Sequence, residues 1–98
     1  MTERSHSDRS LVPDDVVSRE LDGELVLTSL SMGGFLRLDD VGRRIWTLVE
    51  RGHDLQGVVA ALTGEFNVNE AECRADVEAF FTSLAERGLL NWRPPETS

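Results

Sequence analysis

The segment from Gly23 to Trp46, GELVLTSLSMGGFLRLDDVGRRIW, leaves this chain few ways to fold. Just before it ends an apolar run, and Asp22-Gly23 is the pair favoured in a two-residue type I′ hairpin, because both central residues must take positive φ. Val16 to Leu21 is therefore read as a first strand and Glu24 to Leu30 as a second, with Leu25, Leu27 and Ser29 alternating against Val26, Thr28 and Leu30. Ser31-Met32-Gly33-Gly34 turns the chain back on glycines. Phe35 to Leu38 makes a short third strand, Leu36 and Leu38 on one face and Phe35 and Arg37 on the other. The expectation is a three-stranded antiparallel meander.

The second half has helical spacing. Asp39 is an N-cap and Asp40 a first-turn acid favoured by the helix dipole. Val41, Ile45, Leu48 and Val49 form an apolar stripe that Trp46 widens, and Arg51-Gly52 stops it. Asp54 caps a second helix with Leu55, Val58, Val59 and Leu62 on one face. Asn69, with Glu72 three residues on, opens a third. That helix carries Cys73, Val77, Phe80, Phe81 and Leu84 and stops at Arg87-Gly88. Phe80 and Phe81 lie about 100° apart on it, so one ring must leave the main stripe. Leu89 to Trp92 is read as an extended return to the body. The fold class is α+β: a three-stranded antiparallel sheet followed by three helices, the inventory of a winged helix-turn-helix with its strands first. Residues 1–12 are expected to be a disordered polar tail, 13–92 one domain, and 93–98 a C-terminal tail.

Composition excludes several function classes. The net charge of -8 disfavours a phosphate-binding surface. All ten basic residues are arginines, so no lysine serves Schiff-base chemistry or a P-loop. Cys73 is the single cysteine, which rules out an internal disulfide and leaves a Cys-based zinc site without ligands. His6 and His53 have no metal-ligand company, and Cys73 reads as a small buried hydrophobe. Ser29, Ser31, His53 and Asp54 can be combined on paper into a hydrolytic set, but no spacing marks them. Asp39-Asp40 is explained by helix capping. Asp76 is read as a carboxylate that faces solvent or ties its helix to a neighbour, with a structural role favoured. No catalytic residue, metal site or cofactor is expected. The N-terminus lacks the apolar core of a secretory signal, and no apolar run approaches the ~18 residues of a membrane span, so the expected location is the cytoplasm.

The run LDGELVL…GGFLRLDDVGRRIWTLVERGHDLQGVVAALTGEFNVNEAECRADVEAFFTSLAERGLL resembles the PqqD-like proteins, also called RiPP recognition elements after the ribosomally synthesised, post-translationally modified peptides that they serve. Phe35-Leu36-Arg37-Leu38-Asp39, Ile45-Trp46, Asp76-Val77, Leu84 and Gly88-Leu89 carry the likeness, over about residues 12–90. Position 39 is Asp where the family more often has Asn, a change that a helix cap tolerates. The resemblance implies a non-catalytic adaptor. It would bind the leader segment of a precursor peptide as an added antiparallel strand on the third strand, beside a groove bordered by the third helix. It would then deliver the precursor to modifying enzymes, which are a lasso-peptide leader peptidase and cyclase or a radical-SAM enzyme. The Gly34-to-Trp46 run looks closer to lasso-associated members. The positions implied for peptide binding are Phe35, Leu36, Arg37 and Leu38 on the strand and Arg74, Val77, Phe80, Phe81 and Leu84 on the helix. A monomer or weak dimer is expected, with no nucleic-acid or membrane partner. The alternative is a DNA-binding winged helix in which Arg43-Arg44 or Arg74 touch phosphates. The acidic charge opposes it, and no helix offers a row of side chains for base edges.

Overall fold

The computed structural model describes residues 11–93. Strands β1 (Val16–Leu21), β2 (Glu24–Ser29) and β3 (Phe35–Leu38) precede helices α1 (Asp40–Glu50), α2 (Leu55–Glu65) and α3 (Glu70–Glu86). The sheet is antiparallel in the order β1-β2-β3. The expected meander and α+β class are both present. The first hairpin follows from two residues: Asp22 and Gly23 have φ of 53° and 83°, as a type I′ turn requires.

All three helices start on the side chains expected to cap them. Asp39 Oδ1 accepts from the Gly42 amide at 2.8 Å, Asp54 Oδ1 from Gly57 at 2.9 Å and Asn69 Oδ1 from Glu72 at 3.0 Å. Each bond satisfies an amide that the helix cannot satisfy itself, worth about 1 kcal/mol per cap. Cys73, Val77, Phe81 and Leu84 form the buried stripe of α3. They meet Leu27 and Leu38 from the sheet, Ile45 and Trp46 from α1, and Val58 and Leu62 from α2 in one core.

The ends of the domain close on each other. Leu89 and Leu90 are buried, and the Asn91 amide donates to the Leu11 carbonyl at 2.7 Å. Trp92 stands edge-on to Phe81, with ring centroids 5.4 Å apart and planes at 82°. Leu11 and Val12, placed by sequence in the tail, pack against the core instead, because two adjacent apolar side chains gain more from burial there than from solvent. The remainder of the expected tails, with His6, lies outside the described residues. Among the described residues no helix is long and apolar enough to cross a membrane.

Candidate functional site

The hydrogen-bond register decides which backbone groups of the sheet are free. The Ser29 amide donates to the Gly34 carbonyl at 2.8 Å, and the Leu30 amide to the Asp15 carbonyl at 3.0 Å. Bonded and non-bonded pairs alternate along an antiparallel ladder. With β2 and β3 paired as Thr28–Phe35, Leu27–Leu36, Val26–Arg37 and Leu25–Leu38, it follows that Leu36 and Leu38 bond inward to β2. The amides and carbonyls of Phe35 and Arg37 therefore point outward from the sheet edge. Pleating sends the Leu36 and Leu38 side chains towards the helices and those of Phe35 and Arg37 to the opposite face.

β1 is the other edge of the sheet, but its surroundings differ. Its helix-side positions after Val16 are Ser18 and Glu20, both exposed, and Glu20 forms an ion pair with Arg43 of α1. An added strand there would find charge and no apolar floor. Beside β3 lies a trough of ≈ 370 Å³. Leu36 to Asp39 form one wall, Val41, Gly42 and Ile45 of α1 the floor, and Asp76, Phe80 and Ser83 of α3 the other wall. It runs into an apolar pocket of ≈ 300 Å³ that shares Val41, Ile45 and Asp76 with it and is closed by Leu62, Phe66, Val68, Cys73 and Val77.

Two glycines allow close approaches to α3, one of them in the trough. A Cβ at Gly42 would come within 3.3 Å of Phe80 Cζ, so the absent side chain lets the ring lie against α1. A Cβ at Gly34 would lie 2.3 Å from the Arg87 carbonyl oxygen, so the β2–β3 turn sits directly on the end of α3.

The sequence-selected positions divide by place. Leu36, Arg37, Leu38 and Phe80 line the trough, and Val77, 1% exposed, lies at the base of the adjoining pocket. Phe35 is 62% exposed, on the outer face. Phe81 and Leu84 are fully enclosed and present no surface. Arg74 sits with Asn69, Glu70 and Ala71 in a separate shallow depression, its guanidinium 3.9 Å from Glu70. Of the two neighbouring rings on α3, Phe80 is the one that leaves the core. The wall of α3 is therefore Asp76, Phe80 and Ser83, spaced i, i+4, i+7. That spacing was legible in sequence once Phe80 was separated from Phe81. Asp76 is exposed and makes no hydrogen bond or ion pair among the described residues, so no structural tie accounts for it. It and Glu70 act on Cys73, whose thiol is pushed up first by burial and then by these two carboxylates. Raised in this way, the thiol stays protonated and unreactive.

Among the described residues no three His, Cys, Asp or Glu side chains converge as metal ligands. The family model of Coenzyme PQQ synthesis protein D (PqqD) matches residues 24–90. This chain belongs to the PqqD family. It is similar in structure to TbiB1 in complex with the TbiA(beta) leader peptide, with 35% sequence identity and a TM-score of 0.78 over 87% of this chain and 99% of that one. It is also similar to a lasso peptide synthetase B1 complexed with the leader peptide, with 26% identity and a TM-score of 0.71 over 81% of this chain and 93% of that one. No curated protein matches the chain.

Proposed function

We propose that this PqqD-family protein is a non-catalytic adaptor that binds the leader segment of a ribosomally made precursor peptide, of the lasso class, and holds it for the enzymes that process the precursor. The observation that carries the proposal is the conjunction at β3: outward-facing amides and carbonyls of Phe35 and Arg37 directly beside an apolar trough. Strand addition needs both parts, main-chain bonds for general affinity and alternating side-chain pockets for selectivity. β1 offers only the first. An edge left open is an aggregation hazard unless it is used. Two leader-bound structures among the chain's relatives support the same reading.

The DNA-binding alternative loses its cations on inspection. Arg43 pairs with Glu20, Arg44 with Glu65 and Arg74 with Glu70. Guanidiniums already held by carboxylates release few counterions from DNA.

Titration of fluorescein-labelled lasso leader peptides, followed by anisotropy, tests the proposal. Saturable binding with Kd between micromolar and nanomolar is expected, about -8 to -12 kcal/mol. Amide shifts in labelled protein should concentrate on Phe35 to Leu38 and on Asp76, Phe80 and Ser83. Shifts confined to β1, or binding to duplex DNA with steep salt dependence, would contradict it.

A further inference from the structure

The apolar pocket that adjoins the trough carries charge of one sign. Val41, Phe66 and Val68 line it while 54%, 47% and 47% exposed, and the charged side chains beside them are Glu72 and Asp76, both exposed. The two acids stand four residues apart on one face of α3, a spacing at which like charges weaken a helix. Neither has an ion pair or a side-chain hydrogen bond among the described residues, so helix stability does not account for them. Arg74, on the same helix, turns instead to Glu70 in a separate depression. Arg37, the basic residue of the trough, points to the opposite face of the sheet and faces Glu24. The Cys73 thiol, 8% exposed, lines the same pocket with no hydrogen-bond partner among the described residues. Burial first, and then the Asp76 and Glu70 carboxylates, push that thiol up, so the field of Asp76 reaches the pocket.

Resting on the leader-binding reading above, we propose that Asp76, with Glu72 beside it, determines specificity by selecting leaders that carry a lysine or arginine at this junction. The aliphatic stem of that residue lies on Val41, Phe66 and Val68, and its charged head meets the two carboxylates. Asp76 lines both the trough and the pocket, so a strand seated on β3 strips water from it. A carboxylate covered by a neutral side chain loses hydration with nothing in return, whereas a cation compensates it. Long basic side chains suit an apolar cavity with an acidic edge because only their tips are charged. An acidic leader residue at the same place is repelled by both carboxylates, which adds discrimination against wrong partners.

Geometry also gives the place of the basic residue in the leader. The start of β3 lies at the C-terminal end of α3, where Gly34 meets Arg87. From there α3 passes the trough through Ser83 and Phe80 to Asp76. A guest antiparallel to β3 runs from the Leu38 end towards the Phe35 end, so its N-terminal part crosses Asp76 and the pocket. The basic residue therefore precedes the apolar residues that enter the trough. Asp76 and Ser83 are about 10 Å apart along the helix axis, which an extended chain covers in about three residues.

The test pans a phage-displayed library of lasso-precursor leaders against wild type and against Asp76→Asn. The leader that wild type selects most strongly is made as a fluorescein-labelled peptide, with its basic residue intact or replaced by glutamine or glutamate. Each peptide is titrated by anisotropy against wild type, Asp76→Asn, Glu72→Gln and Glu50→Gln. Glu50 is exposed and lines neither cavity, so its variant makes the same change of net charge elsewhere. Circular dichroism melts establish folding, and Glu72→Gln carries the same comparison should Asp76→Asn not fold. Wild type is expected to enrich Lys or Arg N-terminal to the apolar stretch, and Asp76→Asn to lose that enrichment. Asp76→Asn and the glutamine peptide should each raise Kd about fivefold or more, with little further loss when combined. The glutamate peptide should bind wild type more weakly still, and Glu50→Gln should stay within about twofold of wild type. Selected leaders without basic enrichment overturn the proposal. So do losses that multiply when combined, or a Glu50→Gln loss equal to that of Asp76→Asn, which reports bulk charge alone. A wild-type protein that selects no leader removes the adaptor reading itself, a result distinct from selection without a basic residue.

Discussion

Arg37→Pro isolates the main-chain part of recognition. Proline removes one amide hydrogen and holds φ near -65°, which an edge strand tolerates when the lost N–H faces away from the sheet. The register puts the Arg37 N–H on the open side, whereas the Leu36 N–H bonds to β2. A bound leader would lose one hydrogen bond and keep a carbonyl without its partner, a cost of about 1–2 kcal/mol. That corresponds to a Kd raised about 5- to 30-fold. Arg37→Ala controls for the side chain, which is 72% exposed and only loosely paired with Glu24 at 3.6 Å, so its loss should change affinity little at moderate salt. Leu36→Pro is the opposite control: it deletes a bond inside the sheet and should unfold or strongly destabilise the domain, by about 3 kcal/mol or more. Anisotropy titrations supply the affinities, and circular dichroism melts establish folding. If folded Arg37→Pro binds leader as tightly as Arg37→Ala, no strand is added at that amide and the reasoning fails.

Phe80→Ala and Phe81→Ala should separate binding from stability. The enclosed Phe81 should lose about 3–5 kcal/mol of fold stability in urea titrations, whereas Phe80→Ala should keep most of its stability and lose at least tenfold in leader affinity. Gly34→Ala should lower stability by about 1–3 kcal/mol, because its Cβ would fall 2.3 Å from a backbone oxygen that cannot rotate away; a neutral result would disprove the tight seat of the turn on α3. The Arg44 guanidinium, hydrogen-bonded to Glu65, holds that carboxyl below its ordinary value of 4.5. The depressed folded-state value makes the contribution fully present above the ordinary value and lost as pH falls through the depressed one. Urea midpoints of wild type and Glu65→Gln should therefore differ at pH 7 and converge as the pH falls below the ordinary carboxylate value and through the depressed one.

Local chemistry was legible in the sequence because it acts over four residues or fewer. Asp22-Gly23, Asp39, Asp54 and Asn69 each announced a turn or cap and each occupies it. Long-range closure left no such mark. The bond from Asn91 to Leu11 joins opposite ends of the domain, and nothing near Leu11 or Val12 distinguishes a buried end from a polar tail. The open donors of β3 could not be assigned from alternation alone, since that assignment depends on which pairs bond and hence on the Ser29–Gly34 contact. On α3, neighbouring phenylalanines offered two candidate faces, and only the position of the sheet chose between them. The close approach of Gly42 to Phe80 likewise emerges only when two helices are brought together.

The final helix carries two independent texts on one rod. Cys73, Val77, Phe81 and Leu84 hold the domain together, while Asp76, Phe80 and Ser83 line the trough. Mutations on the second set can accumulate with little penalty on the first, so related proteins are free to diversify what they select while inheriting an unaltered scaffold. A library randomised at 76, 80 and 83 is accordingly a practical route to retuned selectivity in a frame that still folds.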